Sequence, residues 1–166
     1  MASGKPVIHQ AAWLSLIPQA ALLAVLTLLF GIFIQPPARA LQAAILVYFA
    51  AFLLLRNLVP RNHRKGMRLF KAGSYAQAIE EYQKSYDFFT KHAWVDKYRY
   101  ITLMSSSRMS YREMALLNIA YCHAQLGNGA KAIACYEAVL REFPDSQMAQ
   151  SALQMLRSVF DNGSNQ

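Results

Sequence analysis

Cys122 and His123 are the adjacent side chains whose types most suggest catalysis, as a thiol nucleophile beside a general base. Neighbouring residues of a helix point about 100° apart, so these two side chains would diverge on a helix. The other cysteine, Cys135, forms no CxxC pair with the first. Because free cysteine packs as a small apolar group, we expect two buried, inert thiols in a reducing compartment.

No other motif predicts a metal, cofactor or nucleotide site. The stretch LGNGAKA at 126–132 lacks the spacing and the hydroxyl group of a phosphate-binding loop. The histidines lack the mutual spacing of metal ligands: His9, His63, His92 and His123. We therefore expect no cofactor, no bound metal and no enzymatic activity.

A basic stretch, RNLVPRNHRKGMRLFKAGSY at 56–75, carries six Lys or Arg side chains and no carboxylate. Taken alone, it suits a nucleic-acid patch, a membrane-surface anchor or the first helix of a folded domain. It lies where the composition of the chain changes. Between residues 7 and 59 only Arg39 and Arg56 are charged, whereas all nine acidic residues lie beyond residue 79.

Two long apolar runs precede the basic stretch and predict a transmembrane helical hairpin. The first, at 13–34, has 22 uncharged residues, which reaches the roughly 20 residues that a spanning helix needs. Pro36 and Pro37 then interrupt the helix and predict a turn. The second helix is predicted at 38–58, and residues 1–12 form an N-terminal tail.

A cleaved signal peptide is the alternative interpretation, because ARA at 38–40 resembles a cleavage site. The first apolar run is longer than the usual apolar region of about 7–15 residues, and only Lys5 precedes it as a charged residue. A second apolar run also follows at once. These features favour the hairpin.

Each predicted span has a face of small residues at helical spacing, and small faces let helices approach closely. The two faces, which we expect to pack on each other, are Ala20, Ala24, Thr27 and Gly31 on the first span and Ala40, Ala44, Val47 and Ala51 on the second. Neither span has an ionisable group near its centre, which argues against a channel or transporter.

The flanking charges predict the orientation of the hairpin, because basic residues concentrate on the cytoplasmic side. The turn between the spans has only Arg39, whereas the segment after the second span has six basic residues. We therefore expect a two-span integral membrane protein, in a bacterial inner membrane, with its N-terminus and C-terminal domain cytoplasmic. The residues expected to contact lipid headgroups are Arg56, Arg61, Arg64 and Lys65.

The second half of the chain contains an internal repeat, which starts at Gly66 and again at Ala120. Each copy has a small residue, a glycine seven positions on, an alanine five further and an aromatic residue four after that. The positions are Gly66, Gly73, Ala78 and Tyr82, then Ala120, Gly127, Ala132 and Tyr136. Small residues allow two helices to approach, and a glycine in the left-handed conformation ends a helix. The spacing therefore predicts two helix–turn–helix units.

This pattern resembles the tetratricopeptide repeat, a helix–turn–helix unit of roughly 34 residues. The second copy, about 113–146, also has a closing proline, Pro144, which the first copy, about 59–92, lacks. Neither has the family's early tryptophan, since Asn62 and Leu116 occupy those positions. The resemblance implies an all-α chain in which the hairpin is followed by a short repeat domain.

The repeat domain is predicted to span 60–160 and to contain an insert at about 93–112. The insert mixes aromatic and basic residues, and we expect it to lengthen the second helix or to add another one. Its rings suit a core role, a docking surface for a partner or lipid headgroups, or a single-stranded nucleic-acid platform, although Asp87 and Asp96 disfavour the last.

The residues after the insert give clearer local signals. Ser110 and Glu113 have the spacing of a capping box at the start of the next helix. A capping helix is predicted at 146–160, where its apolar face would cover the open end of the stack. Residues 161–166 form a tail.

Tetratricopeptide repeats commonly bind proteins, and their inner groove is lined mainly by the first helix of each repeat. The resemblance implies a groove that suits an amphipathic helix or an extended peptide. Its candidate residues are His63, Met67, Phe70, Lys71, Leu117, Tyr121, Ala124 and Gln125. We expect protein partners and membrane lipids, and no nucleic acid.

Two functions are consistent with these observations. The first is a membrane-anchored scaffold that presents the repeat domain at the cytoplasmic face and binds other proteins. The second is an accessory or assembly subunit of a larger membrane complex, in which the hairpin itself is the interface.

Overall fold

The computed structural model describes residues 16–103, 105, 107 and 109–163. All the regular elements of this part of the chain are α-helices, which confirms the predicted all-α class. They are α1 (Leu16–Phe33), α2 (Pro37–Leu58), α3 (Arg61–Lys71), α4 (Tyr75–Lys91), α5 (Ala93–Lys97), α6 (Arg99–Thr102), α7 (Tyr111–Gln125), α8 (Gly129–Glu142) and α9 (Gln147–Gly163).

The chain forms two compact units that do not follow its linear order. The hairpin unit consists of the residues up to Val59 together with Lys97–Met109. The repeat unit consists of Pro60–Asp96 and the residues from Ser110 onward. The predicted insert is therefore divided, because most of it belongs to the hairpin unit while its first residues belong to the repeat unit.

In the hairpin unit, α1 packs against α2, and α2 starts at Pro37, where the fixed proline φ suits the first helical position. Within the described residues, Pro37–Leu58 is the helix that is long and apolar enough to cross a membrane. Ile17–Phe33 is apolar but shorter, and the predicted first span also includes residues 13–15, which lie outside the described part. One candidate span is thus present by length and composition.

The two small faces that were predicted to pack on each other differ in burial. Ala40 and Ala44 of α2 are buried as expected, but Ala20 and Ala24 are exposed, and a Cβ added at Gly31 would meet nothing within 4 Å. The half-buried side of α1 carries leucines instead: Leu22, Leu23 and Leu26. Thr27 and Gly31 are half-buried as well, so the small face of α1 is exposed at Ala20 and Ala24.

In the repeat unit, the helices stack in order, with α3 on α4, α4 on α7, α7 on α8 and α8 on α9. The first helix of each pair ends as the repeat spacing predicted. Gly73 and Gly127 have φ values of +77° and +73°, in the left-handed region. The N–H groups of Ser74 and Asn128 donate to Leu69 and His123 carbonyls, which completes a Schellman motif in both copies.

The core of the first pair depends on a close approach at Gly66. A Cβ built there would lie 2.9 Å from Cδ1 of Tyr82, whose side chain is completely buried. The second pair has Ala120, also fully buried, at the matching position. The first repeat therefore brings its helices closer than a methyl group allows.

Gly66→Ala is expected to lower the free energy of unfolding by about 2 kcal/mol, since overpacking of a core costs more than the roughly 1 kcal/mol that alanine gains over glycine in a helix. Denaturant unfolding of the full chain in detergent, followed by circular dichroism, measures the change. In a Tyr82→Leu background the loss caused by Gly66→Ala should be smaller, because the shorter side chain leaves the space that the methyl group needs. An unchanged or raised midpoint in Gly66→Ala alone would contradict the expected clash.

Candidate partner-binding surface

The repeat geometry brings together Phe70 of α3 and Tyr121 of α7, two of the predicted groove residues. Their ring centroids are 5.3 Å apart at an interplanar angle of 47°. Tyr75, at the start of α4, packs edge-on against Phe70 with the centroids 5.7 Å apart. We call Phe70, Tyr75 and Tyr121 the aromatic patch. Its three rings come from three different helices, so it exists only when the repeat pair has folded.

The aromatic patch is packed against the core on its inner side and is exposed on its outer side. Phe70 and Tyr75 are half-buried against the core cluster, whereas Tyr121 is 42% exposed. Lys71 and Gln125, the predicted groove residues at the ends of α3 and α7, are exposed as well. Rings that are immobilised on one side and open on the other give contact area at little further entropic cost.

Tyr75 was not among the predicted groove residues, although the sequence carries a signal for it. It lies two positions after Gly73, and the Schellman turn folds the chain back so that Tyr75 meets Phe70. Hydrophobic contacts across such turns are common. The turn glycine together with flanking aromatic residues therefore predicts a contact that helix-face reasoning alone does not.

Two predicted groove residues, His63 and Leu117, belong instead to the core, with 6% and 7% of their surface exposed. The His63 ring packs between Tyr82 and Tyr111, at centroid distances of 5.3 and 5.2 Å. Its Nδ1 lies 3.5 Å from the Ser85 hydroxyl oxygen. Because the first turn of α7 covers this end of α3, the position cannot line an open groove.

The burial of His63 has an electrostatic consequence. Removal of water disfavours the charged imidazolium and lowers the pKa of His63 from 6.5 to about 4. The ring is therefore neutral at physiological pH and acts as an aromatic core residue.

The remaining predicted groove residues on α3 and α7 have mixed roles. Met67 is half-buried, and its sulfur lies 3.8 Å from the Tyr82 hydroxyl, which donates to it. Ala124 is half-buried on α7. The accessible part of the surface is thus the aromatic patch with its exposed neighbours Lys71 and Gln125.

The predicted headgroup contacts, Arg56, Arg61, Arg64 and Lys65, are all exposed. Lys65 also has a structural role, because its Nζ lies 2.9 Å from a carboxylate oxygen of the buried Glu81. Lys84 contacts the same oxygen at 2.9 Å, and the hydrogen bonds from Lys84 and Lys65 lower the pKa of Glu81. The Lys65–Glu81 pair links the exposed face of α3 to α4, whereas Lys84 lies on α4 together with Glu81.

The adjacent Cys122 and His123 do not form a nucleophile and base. Cys122 is completely buried, and that burial raises the pKa of its thiol to about 11. Burial, with a smaller effect of Lys131, lowers the pKa of His123. Cys135 is half-buried, and its pKa is raised for the same reason. Both thiols are therefore protonated near neutral pH, and among the described residues no cluster of three or more His, Cys, Asp or Glu could hold a metal.

The insert forms two short helices, α5 and α6, which matches the alternative of an added helix. Its residues divide between core and surface. Val95, Asp96 and Leu103 are buried, whereas Trp94, Tyr98 and Ile101 are exposed.

Asp96 is the buried polar residue of the insert, and its role lies at the start of α7. Its two carboxylate oxygens accept hydrogen bonds from the backbone N–H groups of Tyr111 and Arg112, at 2.8 and 3.0 Å. Ser110 Oγ accepts from the Glu113 N–H at 3.1 Å, as the predicted capping box requires. Three of the otherwise unsatisfied N–H groups at this helix terminus are thus satisfied by side chains.

Comparison with known proteins identifies part of the repeat unit. A sequence model of the tetratricopeptide repeat matches residues 114–146, which comprise most of α7, all of α8 and the turn that follows. Searches of curated proteins and of solved structures gave no match. The chain therefore contains a tetratricopeptide repeat, at the position of the second predicted copy. Repeats of this kind generally mediate interactions between proteins.

Proposed function

We propose that the protein is a membrane-anchored scaffold that binds other proteins through the aromatic patch and presents its repeat unit at the cytoplasmic face. The observation that carries this proposal is the pairing of Phe70 and Tyr121 across α3 and α7 on the accessible side of the repeat unit. The matched tetratricopeptide repeat supports the binding role.

The partner is a protein segment with apolar anchors, either an amphipathic helix or an extended peptide. Aromatic residues are enriched where few side chains provide most of the binding energy. Tyr121 offers both a ring face and a hydroxyl group, and Lys71 and Gln125 add a cation and an amide at the rim. A segment with apolar residues and a flanking carboxylate would complement this surface.

The anchor is the hairpin of α1 and α2, with both spans crossing the bilayer. Support comes from α2, which is long and apolar enough to span, and from the large apolar side chains that both helices leave exposed. The excess of basic residues after α2 supports a cytoplasmic repeat unit in a bacterial inner membrane. Arg56, Arg61, Arg64 and Lys65 contact the headgroups, and the protein acts by binding and not by catalysis.

A photo-crosslinking amino acid at Tyr121 tests the binding role in cells that express the full chain. Specific adducts are expected at this position, and a matched probe at Ala134, an exposed position of α8, should give none. Lys71→Glu should reduce adduct yield at Tyr121, since it reverses the charge at the rim. Equal capture at positions 121 and 134, or none at either, would refute the proposal.

A second candidate function, an accessory subunit of a membrane complex, is favoured by the uncovered small face of α1. Ala20 and Ala24 are exposed, and the space around Gly31 is open within 4 Å. Such a face admits another transmembrane helix at close range. Replacing Ala24 and Gly31 by leucine should release co-purifying membrane proteins under this function and should leave capture at Tyr121 unchanged under the first.

A further inference from the structure

We propose that the segment Lys97–Thr102 is a second membrane contact of this chain, which lies in the headgroup region of the bilayer beside the hairpin. The segment follows α2 by many residues, yet it belongs to the hairpin unit, and α6 packs against α1. It is thus continuous with the proposed anchor. The inference rests on the membrane anchoring in the proposed function and goes beyond it by giving the insert a ligand.

The exposed side chains of this segment are of types that are enriched at membrane interfaces. Tyr98 and Ile101 are 53% and 48% exposed and lie three residues apart, so they share one face. Leu103, which follows the segment, is buried, with 1% of its surface exposed. Tyrosine is enriched at the level of the headgroups, where its ring meets acyl chains and its hydroxyl group meets water.

Arg99 folds the segment and thereby determines which side chains point outward. Its Nε donates to the Ser107 carbonyl at 2.9 Å, and its own carbonyl accepts from the Ser105 N–H at 3.0 Å. Its guanidinium group also lies over the Tyr100 ring, 4.9 Å from the centroid. Arg99 is therefore a positioning residue, not a lipid contact.

Lys97 supplies the exposed cation of the segment. Its Nζ lies 5.7 Å from the centroid of the Tyr98 ring, so an ammonium group and an aromatic ring are presented together. The long lysine side chain can extend toward phosphate groups while its methylene groups stay on apolar surface.

The distribution of charge favours lipid over a protein partner. The sequence of the hairpin unit contains no carboxylate side chain, and all nine acidic residues belong to the repeat unit. Among its described residues the charged ones are Arg39, at the start of α2, and Arg56, Lys97 and Arg99. Arg56, near the end of α2, and Lys97 are both exposed and positively charged, which complements the anionic headgroups of a cytoplasmic leaflet.

Fluorescence of a single tryptophan at position 98 tests the inference. The full chain carrying Tyr98→Trp, with Trp13→Phe and Trp94→Phe, is reconstituted in vesicles of phosphatidylcholine and phosphatidylglycerol. Lipids with brominated acyl chains are expected to quench this tryptophan, and aqueous iodide is expected to quench it poorly. The matched control places the tryptophan at Tyr121, which has similar exposure in the repeat unit and should respond to iodide and not to bromolipid.

Charge reversal adds a second readout. In the Tyr98→Trp chain, Lys97→Glu is expected to lower the ratio of lipid-bound to unbound segment by roughly tenfold or more in anionic vesicles. Little effect is expected in pure phosphatidylcholine. Equal effects in both lipids would overturn the electrostatic part of the proposal.

Two negative results would have different meanings. If carbonate extraction leaves the chain in the vesicles but the position-98 probe responds to iodide and not to bromolipid, the second contact is wrong while the anchor stands. If carbonate releases the chain, the membrane anchor itself fails, and this inference fails with it.

Discussion

Lowering the pH from 6.5 to 4 is expected to remove about 3 kcal/mol from the free energy of unfolding of the repeat unit, and His63→Phe is expected to abolish most of that loss. The pKa of His63 is lowered from 6.5 to about 4 in the folded chain. Between these values the unfolded chain binds a proton that the folded chain does not. The contribution of His63 to the free energy of unfolding is therefore fully present above pH 6.5, and it declines as the pH falls until the folded pKa is reached.

The surroundings of His63 explain why it resists protonation. The ring contacts Tyr82, Tyr111 and the Ser85 hydroxyl group, none of which carries negative charge at these pH values. A buried cation without a counter-charge is costly. Phenylalanine keeps the ring that packs between the tyrosines and has no proton to gain, which makes His63→Phe the conservative replacement.

Denaturant unfolding of the full chain in detergent at several pH values between 7 and 5 isolates the histidine effect, and about 2 kcal/mol of the expected loss falls in this range. The ion pairs of Glu81 do not contribute in this range, because its pKa is lowered below 4.5 and their stabilisation is lost only as the pH falls through that lower value. His123, whose pKa is also lowered, adds a contribution of the same sign that persists in His63→Phe.

His92→Phe is the matched control, since it makes the same replacement at a histidine outside the buried site and should retain the pH dependence. Identical pH dependence of wild type and His63→Phe would show that His63 does not supply the loss.

The parts of the fold that follow from local spacing were predictable from sequence. Gly73 and Gly127 end their helices in the left-handed conformation, as a glycine seven positions after a small residue indicated. The capping side chain of Ser110 was likewise visible as a short motif. Each of these features depends on backbone geometry within one helical turn, so the neighbouring residues are enough to predict it.

The candidate surface was predictable only in part. Transfer of the family's groove positions placed both Phe70 and Tyr121 on this surface, and the structure brings their rings into contact. His63, which was predicted to line the groove, is buried, and one of the rings that covers it is Tyr111, which is distant in sequence and follows the insert. Because an insert separates the two copies, Tyr111 comes to lie against His63 of the first copy, and an alignment of the two copies does not show that contact.

In the hairpin, composition likewise predicted that a helix is present but not how that helix packs. Hydropathy identified a helix at Pro37–Leu58 because crossing a bilayer depends on length and apolar character. It did not show which face of α1 meets α2. Three leucines of α1 are half-buried, whereas Ala20 and Ala24 of the predicted small face are exposed.

Asp96→Ala is expected to lower the free energy of unfolding by about 3 kcal/mol, the second large effect that the structure predicts. The carboxylate is buried, with 3% of the residue exposed, and accepts two backbone hydrogen bonds at the start of α7. Alanine removes the acceptor and leaves the N–H groups of Tyr111 and Arg112 without it. The negative charge that favours a helix N-terminus is lost as well.

Two further variants separate these contributions in the same denaturant experiment. Asp96→Asn keeps the shape and one oxygen acceptor, so a loss of about half the alanine value is expected. Asp87→Ala is the control, because it removes an exposed carboxylate of α4 that accepts a hydrogen bond from Gln83, at 3.0 Å. Its effect should stay within about 0.5 kcal/mol. Equal losses in Asp96→Ala and Asp87→Ala would contradict the capping role.

Hydrogen exchange distinguishes a lost cap from a general loss of stability. Under conditions where the Asp96→Ala chain remains folded, exchange is expected to accelerate at the amides of Tyr111 and Arg112 and to change less at Ile119, which is buried in the middle of α7. Asp96 and Tyr111 also flank the segment that belongs to the hairpin unit, so their hydrogen bond joins the two ends of that segment. Local opening there should loosen that segment before the core of α4 and α7 unfolds. Uniform acceleration along α7 would instead assign Asp96 a purely global role.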